Sequence, residues 1–322
     1  MNAWKSPGLW LPLGLVLAAG AAVAITRSPT LREQMFLLMM FVVLATSLNI
    51  LLGYTGYVNF GHIVFFGLGG YVGFFLLSAW HWPLWAAALG GGLAAAVLAL
   101  GLGAVTLRLR GAYFALATIG INEAVRALII IVPWFGGPTG MSLNFSVYQA
   151  YGGPANALWI TFGAMFALTL LSLIVSYYVK VSRFGLGLMA IREDEDAAMV
   201  MGVRTPWAKT QAFVLSAVFP GIAGVLFFFK NGNVEPGDAF RLQMSIETIV
   251  MVMLGGQGTV LGPLVGAAMY ERLRGYLLTS DLFKNLHLAI AGLMLLIIIL
   301  FIPAGLVGWL RGRSMRLRRI LQ

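Results

Sequence analysis

Apolar runs of about 20 residues recur along this chain, separated by short polar links, and that rhythm constrains the fold more than any other feature. A run of that length spans the ~30 Å hydrocarbon core of a bilayer as an α-helix, whereas barrel strands would show alternating segments of about 10 residues. Soluble domains carry about 25% charged residues; here only 10% are charged and 60% are apolar. The expected fold is all-α, a polytopic helical membrane protein forming a single transmembrane domain over residues 1–322.

Eight crossings are expected, at Leu9–Ile25, Met35–Gly53, Ile63–Trp80, Leu84–Val105, Ala112–Val132, Leu158–Val179, Gln211–Phe229 and His287–Ile302. The first run also has the look of a signal peptide, with Lys5 ahead of it and Ala22-Val23-Ala24 near its end, but its n-region is only weakly basic. Ile246–Tyr270 resists the count, because Gly255-Gly256-Gln257-Gly258-Thr259 divides it into two short pieces. The preferred reading is a re-entrant segment entering and leaving on the outer side; the alternative is one kinked span. Backbone broken at membrane depth must be buried in protein or line a cavity, so Gly255, Gly256, Gln257 and Gly258 are candidates for a translocation path.

Lys and Arg placement sets orientation. Residues 180–209 hold Lys180, Arg183, Arg192, Arg204 and Lys209, while 133–157 hold no charge, so the first interval is expected in the cytoplasm and the second outside. Trp80, Trp82, Trp85 and Trp134 then fall at the outer interface. The net charge of +10 does not point to nucleic acid: five of the 21 basic residues lie between Arg311 and Arg319, and a basic cytoplasmic tail, 311–322, beside an apolar helix faces anionic lipid. With no cysteine and three scattered histidines, neither a thiolate metal site nor a thiol nucleophile is available. Walker A (GxxxxGK followed by Ser or Thr), HExxH and GxSxG patterns are absent, so an enzyme is not expected.

Four of the chain's 11 acids stand together at Glu193-Asp194-Glu195-Asp196, inside the 180–209 loop. Acids suit a helix N-terminus, Ala197, Ala198 and Met201 would make one small apolar face, and Gly202 can end the helix. A short cytoplasmic helix of this build can lie in the groove of a soluble motor, with the acids capping and solubilising it. Within the spans, Asn122, Glu123 and Arg126 lie near the middle of their helix, with Glu123 and Arg126 on one face. An ionisable group there costs ~2.5–3.5 kcal/mol on insertion scales, so it needs a partner or water. Both a helix-locking ion pair and a polar wall of a conduit satisfy that need. Asn59, Phe60 and His62 sit where the chain re-enters the bilayer, at the expected inner mouth, and Gly69 and Gly73 form a small-xxx-small packing pair.

Asp196-Ala197-Ala198-x-x-x-Gly202 resembles the EAAxxxG coupling motif of ABC importer permeases, with Asp for the first Glu and without the I-x-L-P ending. The longer string SRFGLGLMAIREDEDAAMVMGV (182–203) is similar to the LivM-type permease of branched-chain amino-acid ABC importers. So are GYTGYVNFGHIVFFGLGGYVG (53–73), LRLRGAYFALATIGINEAVR (107–126) and SIETIVMVMLGGQGTVLGPLVGA (245–267). The resemblance implies a subunit of the bacterial inner membrane with no cofactor of its own. Its implied partners are a second, LivH-like permease, two cytoplasmic ABC ATPases that hold ATP and Mg, and a periplasmic binding protein for leucine, isoleucine or valine. It also implies ATPase coupling through Arg192, Glu193, Asp194, Glu195, Asp196, Ala197, Ala198, Met201 and Gly202. The competing expectation from the residues alone is a self-sufficient secondary transporter coupled to ions through Glu123, Arg126 and Glu247.

Overall fold

A computed structural model describes residues 7–279, 292–293 and 305–313. The apolar runs fold as helices: α1 (Pro7–Thr26), α2 (Pro29–Thr55), α3 (Ile63–Ala79), α4 (Leu84–Thr106), α5 (Ala112–Ile131), α7 (Pro154–Val181) and α10 (Thr205–Asn231), with a short α6 (Phe145–Gln149) before α7. Six of these are long and apolar enough to cross a membrane, and α3, at 17 residues, is a shorter apolar helix. The chain is thus a multi-pass helical membrane protein. Nearly all of the expected His287–Ile302 crossing and the basic tail beyond Arg313 lie outside the described residues.

Burial ranks the helices. In the apolar windows of α2 and α10, 83% and 72% of residues are buried, against 28–39% in α1, α4, α5 and α7. α2 and α10 are therefore the axis of the bundle, and the other four turn apolar faces outward, as helices that meet lipid or another protein must. Close approach at the axis depends on missing side chains: a Cβ on Gly69 of α3 would collide with the Gly221 backbone of α10, and one on Gly73 with the Val225 side chain.

One end of the bundle carries exposed Trp80, Trp82, Trp85 and Trp134. At this tryptophan end a two-residue ladder, β1 (Met141–Ser142) with β2 (Asn233–Val234), joins the 133–157 loop to the segment after α10. The opposite end carries α8 (Arg183–Glu193) and α9 (Glu195–Val200).

After β2 the chain turns inward through α11 (Pro236–Ala239) and α12 (Leu242–Gly255), breaks, and returns as α13 (Leu261–Thr279). Ser245 Oγ accepts from the N–H of Ile63 (3.0 Å), the first residue of α3, so α12 descends toward the α9 end. Arg274 of α13 lies over the Phe41 ring, near the middle of α2, which places α13 on the way back. The hairpin thus comes from the tryptophan end and returns toward it, but its pieces are 14 and 19 residues long rather than half-bilayer stubs. Its apex consequently reaches the last two turns of α2. The Asn49 carboxamide holds it there, donating to Thr259 O (3.0 Å) and accepting from Gly258 N (2.9 Å). The glycines make the turn possible: Gly256 and Gly258 have φ of 120° and 75°, and a Cβ on Gly255 would strike Gly262 of α13. α14 (Gly305–Arg313) starts against this apex, where Gly305 touches Gly256.

Candidate functional site

The acidic island forms two helices rather than the single one its composition suggests. Asp194 is extended (φ −158°, ψ 114°); its N–H closes α8 on Ala190 O (3.1 Å), and its Oδ1 accepts from Asp196 N (2.9 Å) and Ala197 N (3.0 Å) to open α9. An aspartate that captures backbone N–H groups ends one helix and caps the next. Glu193 is therefore the last residue of α8, Asp194 the joint, and Glu195 and Asp196 the first turn of α9. Gly202, at φ +90°, closes α9 with Gly202 N on Met199 O and Val203 N on Ala198 O, both 3.0 Å, a left-handed cap that glycine adopts without strain.

The acids are not a uniform solubilising patch. Glu195 points into the protein with 13% of its side chain exposed, and its Oε1 pairs with Lys209 Nζ at 2.6 Å. Lys209, 4% exposed at the first turns of α10, also donates to Tyr57 OH (2.9 Å) and Leu107 O (2.8 Å). Tyr57 OH donates in turn to Glu195 Oε2 at 2.8 Å, and the Lys209 ammonium lies 4.8 Å from the Tyr57 ring centroid. Arg110, in the α4–α5 link, grips Asp196 with two hydrogen bonds (3.0 and 2.7 Å) and approaches Glu195 at 3.5 Å. Its guanidinium holds the Asp196 carboxyl below the usual carboxylate range. Burial, and then the Glu195 carboxylate, push the Tyr57 phenol up, so it remains a donor. α9 is thus clamped to the α2–α3 loop, the α4–α5 link and α10, through a buried ion pair whose remaining donors and acceptors are satisfied.

Clamping decides which face of α9 is free. Ala198, expected in the docking face, turns inward and is 3% exposed, while Ala197, Val200 and Met201 point outward, Met201 at 85%. The inward turn follows from Glu195, one turn earlier on the same face, being held by Lys209. Arg192, near the end of α8, donates from Nη1 to Gly53 O (2.8 Å), beside the Gly258 apex, so α8 touches the spot where α2 and the hairpin meet.

The expected path residues divide. Asn59 and His62 are buried: Asn59 Oδ1 accepts from Gly61 N (2.9 Å), His62 Nε2 bonds Ser47 Oγ (3.1 Å), and Phe60 N donates to Thr118 Oγ1 of α5 (3.1 Å). Asn122 is also fully buried, donating to Phe240 O (2.9 Å), and so ties α5 to the link between α11 and α12. Glu123 and Arg126, by contrast, lie on the outer face of α5 at 54% and 40% exposure, paired at 3.2 Å. Ala124, Ala127 and Gly120 share that face. Gln257 is half-buried at the apex. Glu247 is not joined to the α5 pair; it is buried and accepts from Gln243 (2.8 Å) on its own helix.

Tyr57, Arg110, Lys209 and Asn49 were not among the expected site residues. Lys209 carried a signal, since a lysine four positions into an apolar helix needs a partner, but a separation of 14 positions hides which acid supplies it.

A bundle with a glycine-broken hairpin at its axis, a clamped helix at one end and an open charged face on one span defines a membrane permease. The chain matches the family described as the branched-chain amino acid transport system permease component over residues 31–299. It is 31% identical to the high-affinity branched-chain amino acid transport system permease protein LivM of Escherichia coli K12, over 94% of this chain and 75% of the relative. The LivM protein of Salmonella typhimurium LT2 is likewise 31% identical, over 85% and 69%. LivH of Escherichia coli K12 is 26% identical, over 83% and 91%. No solved structure matches. The chain belongs to the branched-chain amino acid transport permease family, as a transport subunit of the ABC importer type and not an enzyme.

Proposed function

We propose that this chain is one of two permeases in an inner-membrane importer of branched-chain amino acids, moved by two cytoplasmic ATPases that hold ATP and Mg. The substrate class follows from the names of the relatives, which transport branched-chain amino acids. The observation that carries the mechanical reading is the clamp: α9 presents Ala197, Val200 and Met201 outward while Glu195, Lys209, Tyr57 and Arg110 bind its back to three other elements. A force applied to that outward face passes directly to the α2–α3 loop, the α4–α5 link and the first turns of α10. Through Arg192 and Gly53 it also reaches the hairpin apex.

The half-open face of α5 is where a LivH-like second permease completes the path, with Glu123 and Arg126 offering opposite charges to a zwitterionic solute. The uncharged 133–157 loop at the tryptophan end is the surface for a periplasmic binding protein.

Met201→Arg tests the docking. Because Met201 is exposed, the variant should insert and fold normally, yet lose co-purification with the ATPases and all ATP-driven uptake in proteoliposomes. Normal uptake by Met201→Arg, or proton-driven uptake by the purified chain alone, would overturn the reading.

A further inference from the structure

A cleft of about 730 Å³ opens beside the clamp, between the last turns of α4 and the first turns of α10. Leu100, Ala104, Met199, Thr205, Trp207 and Arg108 line it, and its wall is mostly apolar. The exposed stripe Leu89, Leu93, Val97 and Leu100 along α4 runs into it, so an acyl chain lying against that helix ends in the cleft. Exposed Trp207 flanks the mouth, the position an indole takes at a membrane–water boundary.

The charges around the cleft close in pairs, with one exception. Glu195 holds Lys209, Asp196 holds Arg110, and among the described residues Arg108 has no ion-pair partner. An apolar slot entered from the lipid side, with one unmatched guanidinium at its mouth, has the complement of a single-anion amphiphile. A soluble anion would satisfy Arg108 but leave the apolar wall wet.

We propose that this cleft binds one anionic phospholipid, with its phosphate on Arg108 and its acyl chains along Leu100 and Ala104. Glu195 and Met199 belong to the same wall, so the lipid sits against the back of α9 and steadies the clamped position.

The test uses the purified full chain in nanodiscs of equal phosphatidylcholine and phosphatidylglycerol, with retained lipid counted by native mass spectrometry. Wild type should keep one phosphatidylglycerol; Arg108→Gln should retain it about tenfold less, the loss expected for one charge-assisted phosphate contact, and Arg108→Lys should recover part of it. Ala104→Trp, which fills the slot, should release the lipid with Arg108 intact. A single cooperative thermal transition in each variant shows that the fold persists. Equal retention by wild type, Arg108→Gln and Ala104→Trp would overturn the proposal. So would displacement by soluble glycerol phosphate, which identifies a soluble-anion site, or unchanged lipid retention in Ala104→Trp, which leaves the groove to a protein surface. Neither ATP nor transport enters the readout, so this result is separate from the fate of the importer reading.

Discussion

Glu195 and Glu123 are both carboxylates beside a cation, at opposite extremes of enclosure. Glu195 is held by Lys209, Tyr57 and Arg110, from three different parts of the chain, with 13% of its side chain exposed. Glu123 is 54% exposed and has Arg126, three residues along the same helix, and the adjacent Asn122 carboxamide at 3.3 Å. The first is a closed network, in which loss of Glu195 or Lys209 leaves the other's charge buried. The second is a local pair left open on an apolar helix, and its cost there is offset only by water or by another surface that covers it. Closed charge holds an element in place; open charge marks a face that is incomplete in this chain alone.

The largest effect should come from opening the closed network. Lys209→Met leaves the Glu195 carboxylate buried with only the more distant, exposed Arg110 beside it; broken buried pairs cost about 3–5 kcal/mol, and the loss here should approach the lower end. The thermal midpoint of the purified complex should fall, and ATP hydrolysis should no longer be stimulated by transport. In the double variant Lys209→Met with Glu195→Gln, no charge remains to be orphaned, so much of the midpoint should return while coupling stays impaired; a double as unstable as the single would break the account.

At the open face the effects should separate the other way. Arg126→Gln removes an exposed i,i+3 pair worth about 0.2–0.5 kcal/mol, so the midpoint should barely move. Uptake should nevertheless fall about tenfold, the equivalent of 1.4 kcal/mol at the transport step. A large drop in midpoint with normal uptake would make this pair structural after all.

Smaller still is the outer half of the clamp. Asp196→Asn loosens the exposed grip of Arg110, and a modest fall in coupling efficiency with an unchanged midpoint is expected. The pH dependence has a definite sign. Arg110 depresses the Asp196 carboxyl, so its contribution is complete above the ordinary carboxylate pKa and is lost only as pH falls through the depressed value. Between about pH 5 and 8 the Arg110–Asp196 grip should therefore be constant, and a midpoint difference between wild type and Asp196→Asn that changed within that window would contradict it.

Much of this was legible in the residues. Hydrophobic run length located α1, α2, α4, α5, α7 and α10, because lipid demands an unbroken helix and admits no other solution for a single segment. Gly255 to Gly258 announced a break, and Gly202 a helix end. The inward turn of Ala198 and the burial of Glu195 were not legible, since both depend on Lys209 arriving from α10. Nor was the depth of the hairpin, which Asn49 sets from 209 residues away along the chain.

By itself, then, the sequence determined which of the described segments form helices long and apolar enough to cross, where backbone must bend and which residues are too polar to meet lipid unaided, because those questions are settled by local composition against a uniform solvent. Tertiary structure alone decided which charges are closed and which are open. Partner choice for a charge depends on what lies within about 4 Å of it in space, and the chain brings Tyr57, Arg110, Glu195 and Lys209 to one point only after the bundle has packed.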